Sequence, residues 1–463
     1  MKKSTNISKK GIETVALHNL GCKVNAYETQ KMAQRLSEAG LRIVPFAHRA
    51  DVYVVNTCSV TQIADKKSRQ MLHRARRLNP NAIVVAAGCF VQAGGLTPED
   101  VGADILLGND KKGELLSVLE QYLEEKRAQV RVIDINAPGE CYEEMFEKRR
   151  MPQDDAGRTD DVYTENAPSE PSLDARTHTR AFVKIQDGCN QFCSYCRIPY
   201  VRGRVRSRAA ASILDEISDL IAKGYREIVL TGIHVSSYRD EGSGLIDLVE
   251  KIDALPGLRR LRLSSMEPRL VTEDAARRLS SCASLCPHFH LSLQSGCDET
   301  IARMNRHYTT ADFAESVSYL RTYFMDPAIT TDVIAGFPGE TEEEFEKTLA
   351  FVRRMAFADM HVFKFSPREG TRAYAMDGQV PEDAKNARSD ILLDAAQSMA
   401  DDFYHIWENR EVEVLFEEEN FLQGKRMWTG FTREYLRVYR ESEEDLKNQI
   451  VTISLQKSDY EVK

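Results

Sequence analysis

The chain has 463 residues, of which 42% are hydrophobic and 29% are charged, and its formal net charge is −9. This length predicts about two to four domains with sizeable apolar cores, and the absence of any run of roughly eighteen apolar residues excludes a transmembrane helix. The N-terminal residues MKKSTNISKKG are charged and no apolar stretch follows them, which excludes a signal peptide, so we expect a cytoplasmic protein with no membrane partner.

Ten cysteines in a cytoplasmic chain indicate metal binding or redox chemistry rather than disulfide bonds. The negative net charge argues against a protein that coats nucleic acid nonspecifically, although a local basic patch can still bind RNA. The cysteines are therefore the first candidates for a functional site.

The first 125 residues alternate between strand and helix patterns. Strands are predicted at residues 14–17, 51–55, 82–87 and 104–107, and helices at residues 27–40, 62–78 and 111–126. The helix at residues 62–78 is basic. This alternation is typical of an α/β domain with a doubly wound parallel sheet.

Three cysteines, Cys22, Cys58 and Cys89, come at or just after the ends of the first three predicted strands, 36 and 31 residues apart. These separations correspond to one βαβ unit each. Because parallel strands end at one edge of the sheet, where such folds bind ligands, the three thiols can hold a metal cluster there. The alternative is three unrelated buried cysteines.

Residues 138–178 contain many Asp, Pro, Ser and Thr residues and few apolar ones. This composition predicts an acidic flexible linker or insertion, whose start at residues 142–151 can form a short helix. We assign no role to Cys141, Cys282, Cys286 and Cys297, which we expect to be buried or incidental thiols.

A second set of cysteines, Cys189, Cys193 and Cys196, has C-x3-C-x2-C spacing after the apolar run 181–185. Thiolates this close can share one iron–sulfur cluster. A cubane has four irons, so three cysteines leave one iron free to bind a small molecule. A zinc site is the alternative, but it usually needs a fourth ligand at matching spacing, and the next candidate is only His234.

Six apolar runs separated by helical patterns predict a six-stranded partial (β/α) barrel with its chemistry at the carboxyl ends of the strands. The runs are residues 181–185, 227–230, 260–263, 288–293, 329–335 and 361–365. Polar residues or glycines follow these runs, and we expect them to line a pocket. They are Thr231, Gly232, Ser264, Ser265, Glu267, Ser292, Gln294, Asp332, Gly336 and Ser366.

After a helix at residues 381–407, the tail is predicted to form short antiparallel strands of a small barrel at residues 413–416, 430–439 and 449–455. Cations alternate with aromatic residues there, as RNA binding by phosphate contact and base stacking requires. The candidates are Lys425, Arg426, Trp428, Arg433 and Tyr435. A solvated face of the domain is the alternative, since acidic residues outnumber basic ones from residue 408 onward.

Several stretches taken together resemble the radical S-adenosylmethionine (SAM) methylthiotransferases. They are HNLGCKVNAYET, DGCNQFCSYCRIPYVRGRVRSR, LSSMEP, HFHLSLQSG, DVIAGFPGET and FKFSPREGT. The resemblance covers nearly the whole chain except residues 138–179. It implies a cluster domain at residues 1–137, a radical SAM barrel at residues 179–402 and an RNA-binding TRAM-like domain at residues 403–463.

The resemblance also implies two 4Fe-4S clusters and SAM as cofactors. The catalytic cluster that cleaves SAM would be held by Cys189, Cys193 and Cys196, and a second, sulfur-carrying cluster by Cys22, Cys58 and Cys89. We expect SAM or substrate to contact Ser264, Ser292, Gln294, Arg303, Arg306 and Gly336. Arg202 and Arg204 are candidates for contact with tRNA phosphates, because the guanidinium fork suits phosphate. The alternative for them is an ion-paired helix start.

Three branches of this family modify isopentenyl-adenosine in tRNA, an aspartate of a ribosomal protein, or threonylcarbamoyl-adenosine at tRNA position 37. The form LGCKVNAYET resembles the third branch. The implied partners are the anticodon loop of tRNA, a reductase or flavodoxin-type electron donor, and a sulfur donor. An RNA-binding iron–sulfur sensor without turnover and a zinc-dependent RNA-modifying enzyme remain as alternatives.

Overall fold

The computed structural model describes residues 11–133, 179–422 and 424–460, together with Ile7 and Ile135. The chain divides into two compact units, Met1–Thr177 and His178–Lys463. The predicted acidic linker, its short helix and Cys141 lie outside the described residues. None of the helices in the described part of the chain is both long enough and apolar enough to span a bilayer.

The first unit contains a parallel sheet of six strands in the order β2-β1-β3-β4-β5-β6. Its strands are β1 (Thr14–Asn19), β2 (Arg42–Val44), β3 (Val52–Thr57), β4 (Ile83–Gly88), β5 (Ile105–Leu107) and β6 (Gln129–Arg131). Its helices are α1 (Lys23–Glu38), α2 (Gln62–Leu78), α3 (Cys89–Gln92), α4 (Pro98–Val101) and α5 (Leu115–Glu125). The four predicted strands and three predicted helices are present, and the short strands β2 and β6 extend the sheet at its two edges.

Apolar cores cover both faces of this sheet. Along β3, Val52 and Val54 belong to one core with α1 and α5, whereas Tyr53 and Val55 belong to the other with α2. Successive side chains of a strand point to opposite faces, so strands buried on both sides read as continuous apolar runs. The prediction of a doubly wound sheet is confirmed.

The second unit begins with the predicted partial barrel, whose six strands form two parallel three-stranded sheets, β11-β10-β7 and β12-β13-β14. Single bridges from Leu261 to Leu285 and from Met266 to Leu291 join the two sheets. The strands are β7 (Arg180–Lys184), β10 (Glu227–Thr231), β11 (Arg260–Leu263), β12 (His288–His290), β13 (Ala328–Ala335) and β14 (Asp359–Lys364). A short hairpin of β8 (Gln186–Asp187) and β9 (Arg206–Ser207) encloses the cysteine loop.

Helices alternate with the barrel strands, and all except the short ones at residues 198–201 and 298–303 share one large apolar core with them. They are α6 (Ile198–Val201), α7 (Ala210–Ala222), α8 (Leu245–Asp253), α9 (Glu273–Ser280), α10 (Asp298–Arg303), α11 (Thr310–Tyr323), α12 (Glu342–Met355) and α13 (Glu382–Trp407). Thr309 and Thr341 begin α11 and α12 with reciprocal capping boxes, which satisfy the free amide groups of a helix start.

The tail forms a four-stranded antiparallel sheet in the order β17-β16-β15-β18. Its strands are β15 (Glu411–Leu422), β16 (Lys425–Thr432), β17 (Arg437–Glu441) and β18 (Ile450–Ser454). The single strand predicted at residues 430–439 is wrong, because the chain turns between β16 and β17. Tyr435 has a positive φ of 71°, and the Leu436 amide donates to the Thr432 hydroxyl over 3.2 Å.

Helix α13 connects the barrel to this sheet. Leu392 and Met399 pack in the barrel core, whereas Phe403 and Trp407 pack in the core of the C-terminal sheet. The domain boundary expected between residues 402 and 403 therefore falls inside a continuous helix, at the point where its side chains change from one core to the other.

The C-terminal sheet also binds the amino ends of the barrel strands through a buried ionic cluster. The barrel contributes Arg180, Glu227, Arg260 and Arg262. Arg262 donates to Glu227 over 2.8 Å and to the carbonyl oxygen of Arg433 over 3.0 Å. Arg260 donates to the carbonyl oxygen of Glu413 over 2.6 Å. The sheet thus covers the end of the barrel opposite the cysteine loop.

Candidate active site

The cysteine loop lies at the carboxyl end of β7 and is held in one conformation by its own backbone. Gly188 has a φ of +70°, and a Cβ atom added there would lie 1.9 Å from the carbonyl oxygen of Arg204, so only glycine fits. The Cys189 amide donates to the carbonyl oxygen of Gly203 over 3.0 Å. The glycine in the sequence DGC is therefore what lets the loop close on itself.

Residues that follow α10 brace the other side of the loop. The Ser194 amide donates to the carbonyl oxygen of Met304 over 2.9 Å, and the Asn305 side chain donates to the carbonyl oxygen of Phe192 over 3.0 Å. Because the loop is held both by the segment before β9 and by the residues after α10, its cysteines are positioned by the fold.

Each of the three sulfurs accepts one N–H group. The amide of Gln191 donates to Cys189 Sγ, Arg306 Nη1 donates to Cys193 Sγ, and the amide of Ile198 donates to Cys196 Sγ, each over 3.4 Å. N–H donors around cysteine sulfurs are what iron–sulfur clusters use to tune their thiolate ligands. The donor set therefore fits a cluster bound through three thiolates.

Burial, together with the neighbouring Cys193, raises the pKa of the Cys189 thiol to about 11 and that of Cys196 to about 12. As free thiols these side chains are protonated at neutral pH. A bound metal removes the protons because it supplies the positive charge that burial withholds.

Among the residues that the structure describes, no three His, Cys, Asp or Glu side chains converge as they would around one metal ion.

The sequence named Arg306, Ser292 and Glu267 as separate candidates, but it did not predict the polar network that they form beside these cysteines. Arg306 Nη2 donates to Glu267 over 2.7 Å and to the carbonyl oxygen of Ser292 over 3.2 Å. His234 Nε2 lies 3.6 Å from Glu267 and 3.4 Å from the side-chain nitrogen Nε2 of Gln191. His234, Glu267 and Ser292 follow the ends of three different strands and Arg306 follows helix α10, so the barrel geometry alone brings them together.

In this network the negative charge of Glu267 is compensated by the positive charge of Arg306. Burial by itself raises the pKa of Glu267, but the hydrogen bond from His234 and the charge of Arg306 outweigh it, so the pKa is lowered. Glu267 is therefore ionised at neutral pH beside a permanently charged guanidinium. The strand-end position of Glu267 was the available signal in the sequence, but nothing there indicated its pairing with Arg306.

The other predicted cofactor residues divide into two groups. Ser264 is buried with its hydroxyl oxygen unpaired among the described atoms, while Ser292 and Gln294 lie at the same end of the barrel. Arg303 is instead in an ion pair with Glu344 of α12. A Cβ atom at Gly336 would lie 2.4 Å from Lys385 Cγ, so this glycine makes room for α13 rather than for a ligand.

Of the two arginines predicted to contact phosphate, only Arg204 is exposed, with its guanidinium over the Phe192 ring. Arg202 is 0% exposed and donates to both carboxylate oxygens of Asp187 over 3.2 Å. Arg202 therefore cannot reach a phosphate, and the alternative of an ion-paired arginine is correct for it.

Cys22, Cys58 and Cys89 lie at the carboxyl edge of the first sheet. The pairing of Thr57 with Gly88 sets Cys58 and Cys89 directly after the ends of the adjacent strands β3 and β4. A Cβ atom at Gly21 would lie 2.9 Å from Cys58 Sγ, which brings the neighbouring Cys22 to the same place. The register of β1, β3 and β4 places the residues that carry the three cysteines at one edge of the sheet.

One side chain supports this second trio. Asn109 follows β5, and its amide nitrogen lies 3.5 Å from Cys89 Sγ. The Asn109 backbone amide donates to the Gln92 side chain over 3.0 Å, which fixes the position of Asn109. An N–H donor directed at a cysteine sulfur again fits a thiolate ligand.

The predicted RNA-binding residues of the tail fall into two groups, one used inside the protein and one accessible. Trp428 is 2% exposed in the C-terminal core. Arg433 donates to the carbonyl oxygens of Ala283 and Leu285, and the Tyr435 hydroxyl accepts from Arg180 over 2.8 Å. These three side chains therefore stabilise the chain internally and are not available to stack with or contact RNA.

Lys425 and Arg426 remain accessible, paired with Glu441 and Glu419 respectively.

The acidic run at residues 417–419 forms ion pairs with nearby arginines. Glu417 binds Arg180 across the barrel contact and Glu419 binds Arg426. Two of the three acidic residues thus serve ion pairs within the second unit.

A six-stranded parallel partial barrel with a three-cysteine loop after its first strand is the architecture of a radical SAM enzyme. Residues 183–352 match the model of the Radical SAM superfamily, and residues 14–108 match that of the Uncharacterized protein family UPF0004. Radical SAM enzymes use a 4Fe-4S cluster and SAM. The fold is also that of the radical S-adenosylmethionine methyltransferase TsrM from Kitasatospora setae, with a TM-score of 0.56, 18% identity, and coverage of 78% of this chain and 77% of that chain.

Curated relatives match almost the whole chain. It is 36% identical to the threonylcarbamoyladenosine tRNA methylthiotransferase MtaB of Bacillus subtilis over 96% of this chain and 94% of that protein. It is 35% identical to MtaB of Aquifex aeolicus over 92% of this chain and 96% of that protein. It is 34% identical to the tRNA-2-methylthio-N(6)-dimethylallyladenosine synthase of Clostridium novyi over 86% of this chain and 84% of that protein. The chain therefore belongs to the radical SAM methylthiotransferase family, and it is an enzyme.

Proposed function

We propose that the chain inserts a methylthio group at carbon 2 of N6-threonylcarbamoyladenosine at position 37 of tRNA. The observation that carries this proposal is its 36% identity to MtaB of Bacillus subtilis over nearly the full length of both chains. Three further MtaB proteins are 35–36% identical. The dimethylallyladenosine synthases are 31–34% identical, so isopentenyl-adenosine in tRNA is the second candidate substrate.

The reaction explains why the site needs a cluster held by thiolates in addition to its polar side chains. Carbon 2 of adenine bears a strong C–H bond that no polar side chain can deprotonate. Cys189, Cys193 and Cys196 would hold a 4Fe-4S cluster, which would supply the electron for cleavage of SAM to a radical strong enough to take this hydrogen.

The side chains of the barrel have binding and positioning roles. Arg306 donates to Cys193 and holds Glu267 in the ionised state. Glu267, His234 and the half-buried Ser292 offer hydrogen-bonding groups beside the cysteine loop, and we assign them to SAM together with Ser264 and Gln294. A fixed carboxylate suits an ammonium group, which makes the amino group of SAM the natural partner of Glu267.

The sulfur atom requires a second site. We assign to Cys22, Cys58 and Cys89 a second 4Fe-4S cluster, whose free iron would bind the sulfur that is transferred. The support is their juxtaposition at one sheet edge and the Asn109 donor beside Cys89. A sulfur donor and a flavodoxin-type or other reductase complete the set of proposed partners.

The proposed division of labour follows the predicted domains. Residues 1–137 hold the sulfur-carrying cluster, the barrel up to the middle of α13 holds SAM, and the C-terminal sheet contributes Lys425 and Arg426 to RNA binding. Arg204, which is exposed beside the cysteine loop, is the remaining candidate for phosphate contact near the active site.

Nucleoside mass spectrometry of tRNA from cells that lack the gene tests the substrate. We expect loss of the methylthio mark on threonylcarbamoyladenosine, with the isopentenyl-adenosine mark retained, and restoration by the wild-type gene. Loss of only the isopentenyl-adenosine mark would select the second candidate, and unchanged nucleosides would contradict both.

Cysteine variants separate the two clusters. Cys193→Ala should abolish SAM cleavage. Cys58→Ala should retain SAM cleavage and lose methylthio insertion, and each variant should retain about half of the iron. Methylthiolated product from the Cys58→Ala protein would show that the second cluster is not needed.

A further inference from the structure

Helix α2 carries an unusually cationic surface for a chain with a net charge of −9. Six of its residues are Lys or Arg and only Asp65 is acidic. Four of the cations, Lys66, Lys67, Arg74 and Arg77, are exposed. We call these four residues the basic face of α2.

The basic face is unpaired, in contrast to the other cations of the same helix. Arg76 binds Asp104 over 2.7 Å and Arg69 lies over the Phe90 ring. Within the described part of the chain, none of the four residues of the basic face makes an ion pair or a side-chain hydrogen bond. Like charges this close repel each other, so the arrangement favours binding of an external polyanion.

The basic face forms a line that starts at the sheet edge of the second cysteine trio. Helix α2 begins after Thr61, three residues beyond Cys58, and Thr61 caps it by accepting from the Ala64 amide. With a rise of 1.5 Å per residue, Lys66 to Arg77 span about 16 Å along one side of the helix. Val60 and Ile63 are 54% and 68% exposed at the end nearest Cys58.

We infer that the basic face of α2 binds the sugar–phosphate backbone of the tRNA substrate and guides the target nucleotide to the edge that carries Cys58. This inference rests on the proposed function for the identity of the RNA. Lysine and arginine neutralise phosphates regardless of sequence, and exposed apolar side chains suit the faces of unstacked bases. The end of the line that lies nearest Cys58 thus offers an apolar contact for a splayed base.

An acidic protein, such as an electron donor, is the other polyanion to consider. RNA is favoured because the four charges are arranged in a line along one helix and because the exposed apolar pair lies at its cysteine end. The charges also account for how a chain of negative net charge can bind RNA.

The test compares two quadruple variants prepared with their iron–sulfur clusters. The first replaces Lys66, Lys67, Arg74 and Arg77 by Gln. The control replaces Lys223, Lys251, Arg353 and Arg354, four exposed cations on outer helices of the barrel, and makes the same change in net charge. Binding of a full-length tRNA transcript with adenosine at position 37 is measured by fluorescence anisotropy between roughly 50 and 200 mM salt.

For the first variant we expect the dissociation constant to rise at least about tenfold. The slope of log K against log salt should become less steep by about 3, because each of the four lost phosphate contacts removes about 0.7–0.9 from it. The control should bind like the wild type. If the quadruple variant does not fold, the double variants Lys66→Gln with Lys67→Gln and Arg74→Gln with Arg77→Gln should each lose about half of the slope.

Unchanged affinity and salt slope in the first variant would overturn the inference. Unchanged RNA binding together with a loss of SAM cleavage that a chemical reductant restores would assign the surface to an acidic electron donor and overturn it equally. If wild-type protein binds the transcript through this face but makes no methylthio product on tRNA that carries threonylcarbamoyladenosine, the proposed function fails and this inference stands.

Discussion

Arg306 donates a hydrogen bond to Cys193 Sγ over 3.4 Å while its second terminal nitrogen binds Glu267 over 2.7 Å. One guanidinium therefore joins a cluster ligand to the carboxylate that we assign to SAM. Because the side chain is only 6% exposed, its charge acts on the cysteine loop with little screening by water.

Replacing Arg306 by Gln should lower the reduction potential of the barrel cluster and the rate of SAM cleavage. A positive charge and an N–H donor at a cysteine sulfur favour the reduced cluster, and loss of such support typically costs about 10- to 100-fold in activity or metal affinity. The potential is measured by redox titration followed by electron paramagnetic resonance, in the Cys58→Ala background so that one cluster is observed. Arg303→Gln is the control, since Arg303 binds Glu344 instead; an equal shift in both variants would contradict a specific role for Arg306.

Replacing Gly188 by Ala should disrupt the cysteine loop. The new Cβ atom would lie 1.9 Å from the carbonyl oxygen of Arg204 at a φ of +70°, so clash and backbone strain act together. We expect loss of iron from the barrel site and a lowered melting temperature. Gly242→Ala is the matched control, because Gly242 has a φ of +84° with open space around it, so only backbone strain of about 1 kcal/mol is expected. Full iron content in the Gly188→Ala protein would contradict this account of the loop.

Replacing Glu227 by Gln should destabilise the contact between the barrel and the C-terminal sheet. Glu227 is 1% exposed and is bound by Arg262, with Arg260 nearby. Removing one partner from a buried ionic cluster leaves uncompensated charge and costs about 3–5 kcal/mol, measured as the free energy of unfolding in denaturant. The exposed pair of Glu250 and Arg278 supplies the control Glu250→Gln, which should cost less than about 1 kcal/mol.

The destabilisation by Glu227→Gln should depend on pH. Burial alone raises the pKa of Glu227, but the charge and hydrogen bonds of Arg262 outweigh it, so the folded-state pKa lies below the unfolded one. The stabilisation is therefore present above the unfolded pKa and is lost as the pH falls through the folded pKa. The difference between wild type and variant should be full at pH 7 and should shrink below about pH 4; a difference that stays constant to lower pH would contradict the ionic account.

In metal-free protein, Cys189 and Cys196 should react slowly with iodoacetamide at pH 8. Burial raises the pKa of these thiols to about 11 and about 12, so the reactive thiolate becomes abundant only near those values. The rates, read by mass spectrometry of the labelled peptides, should continue to rise with pH up to about 11 and should become ordinary in denaturant. Rapid labelling of both thiols at pH 7 in folded protein would contradict the raised pKa values.

The sequence by itself determined where the cysteines lie relative to the predicted strands. One cysteine follows each of the first three strands of an α/β domain, and C-x3-C-x2-C follows the first strand of a barrel. Both follow from local patterns. Continuous apolar runs define buried parallel strands, and the spacing of cysteines within one loop is set directly by the order of residues along the chain. The doubly wound sheet, the six barrel strands and the antiparallel tail could be predicted in this way.

Only the tertiary structure decided which charged and aromatic residues are accessible to a ligand. Arg202, Trp428, Arg433 and Tyr435 have the composition of an RNA-binding surface, yet burial and ion pairs commit them to the interior. Arg306 joins Cys193 to Glu267 across 113 and 39 residues of sequence. No local pattern contains such pairings, because burial and charge compensation depend on which distant strand ends the fold brings together.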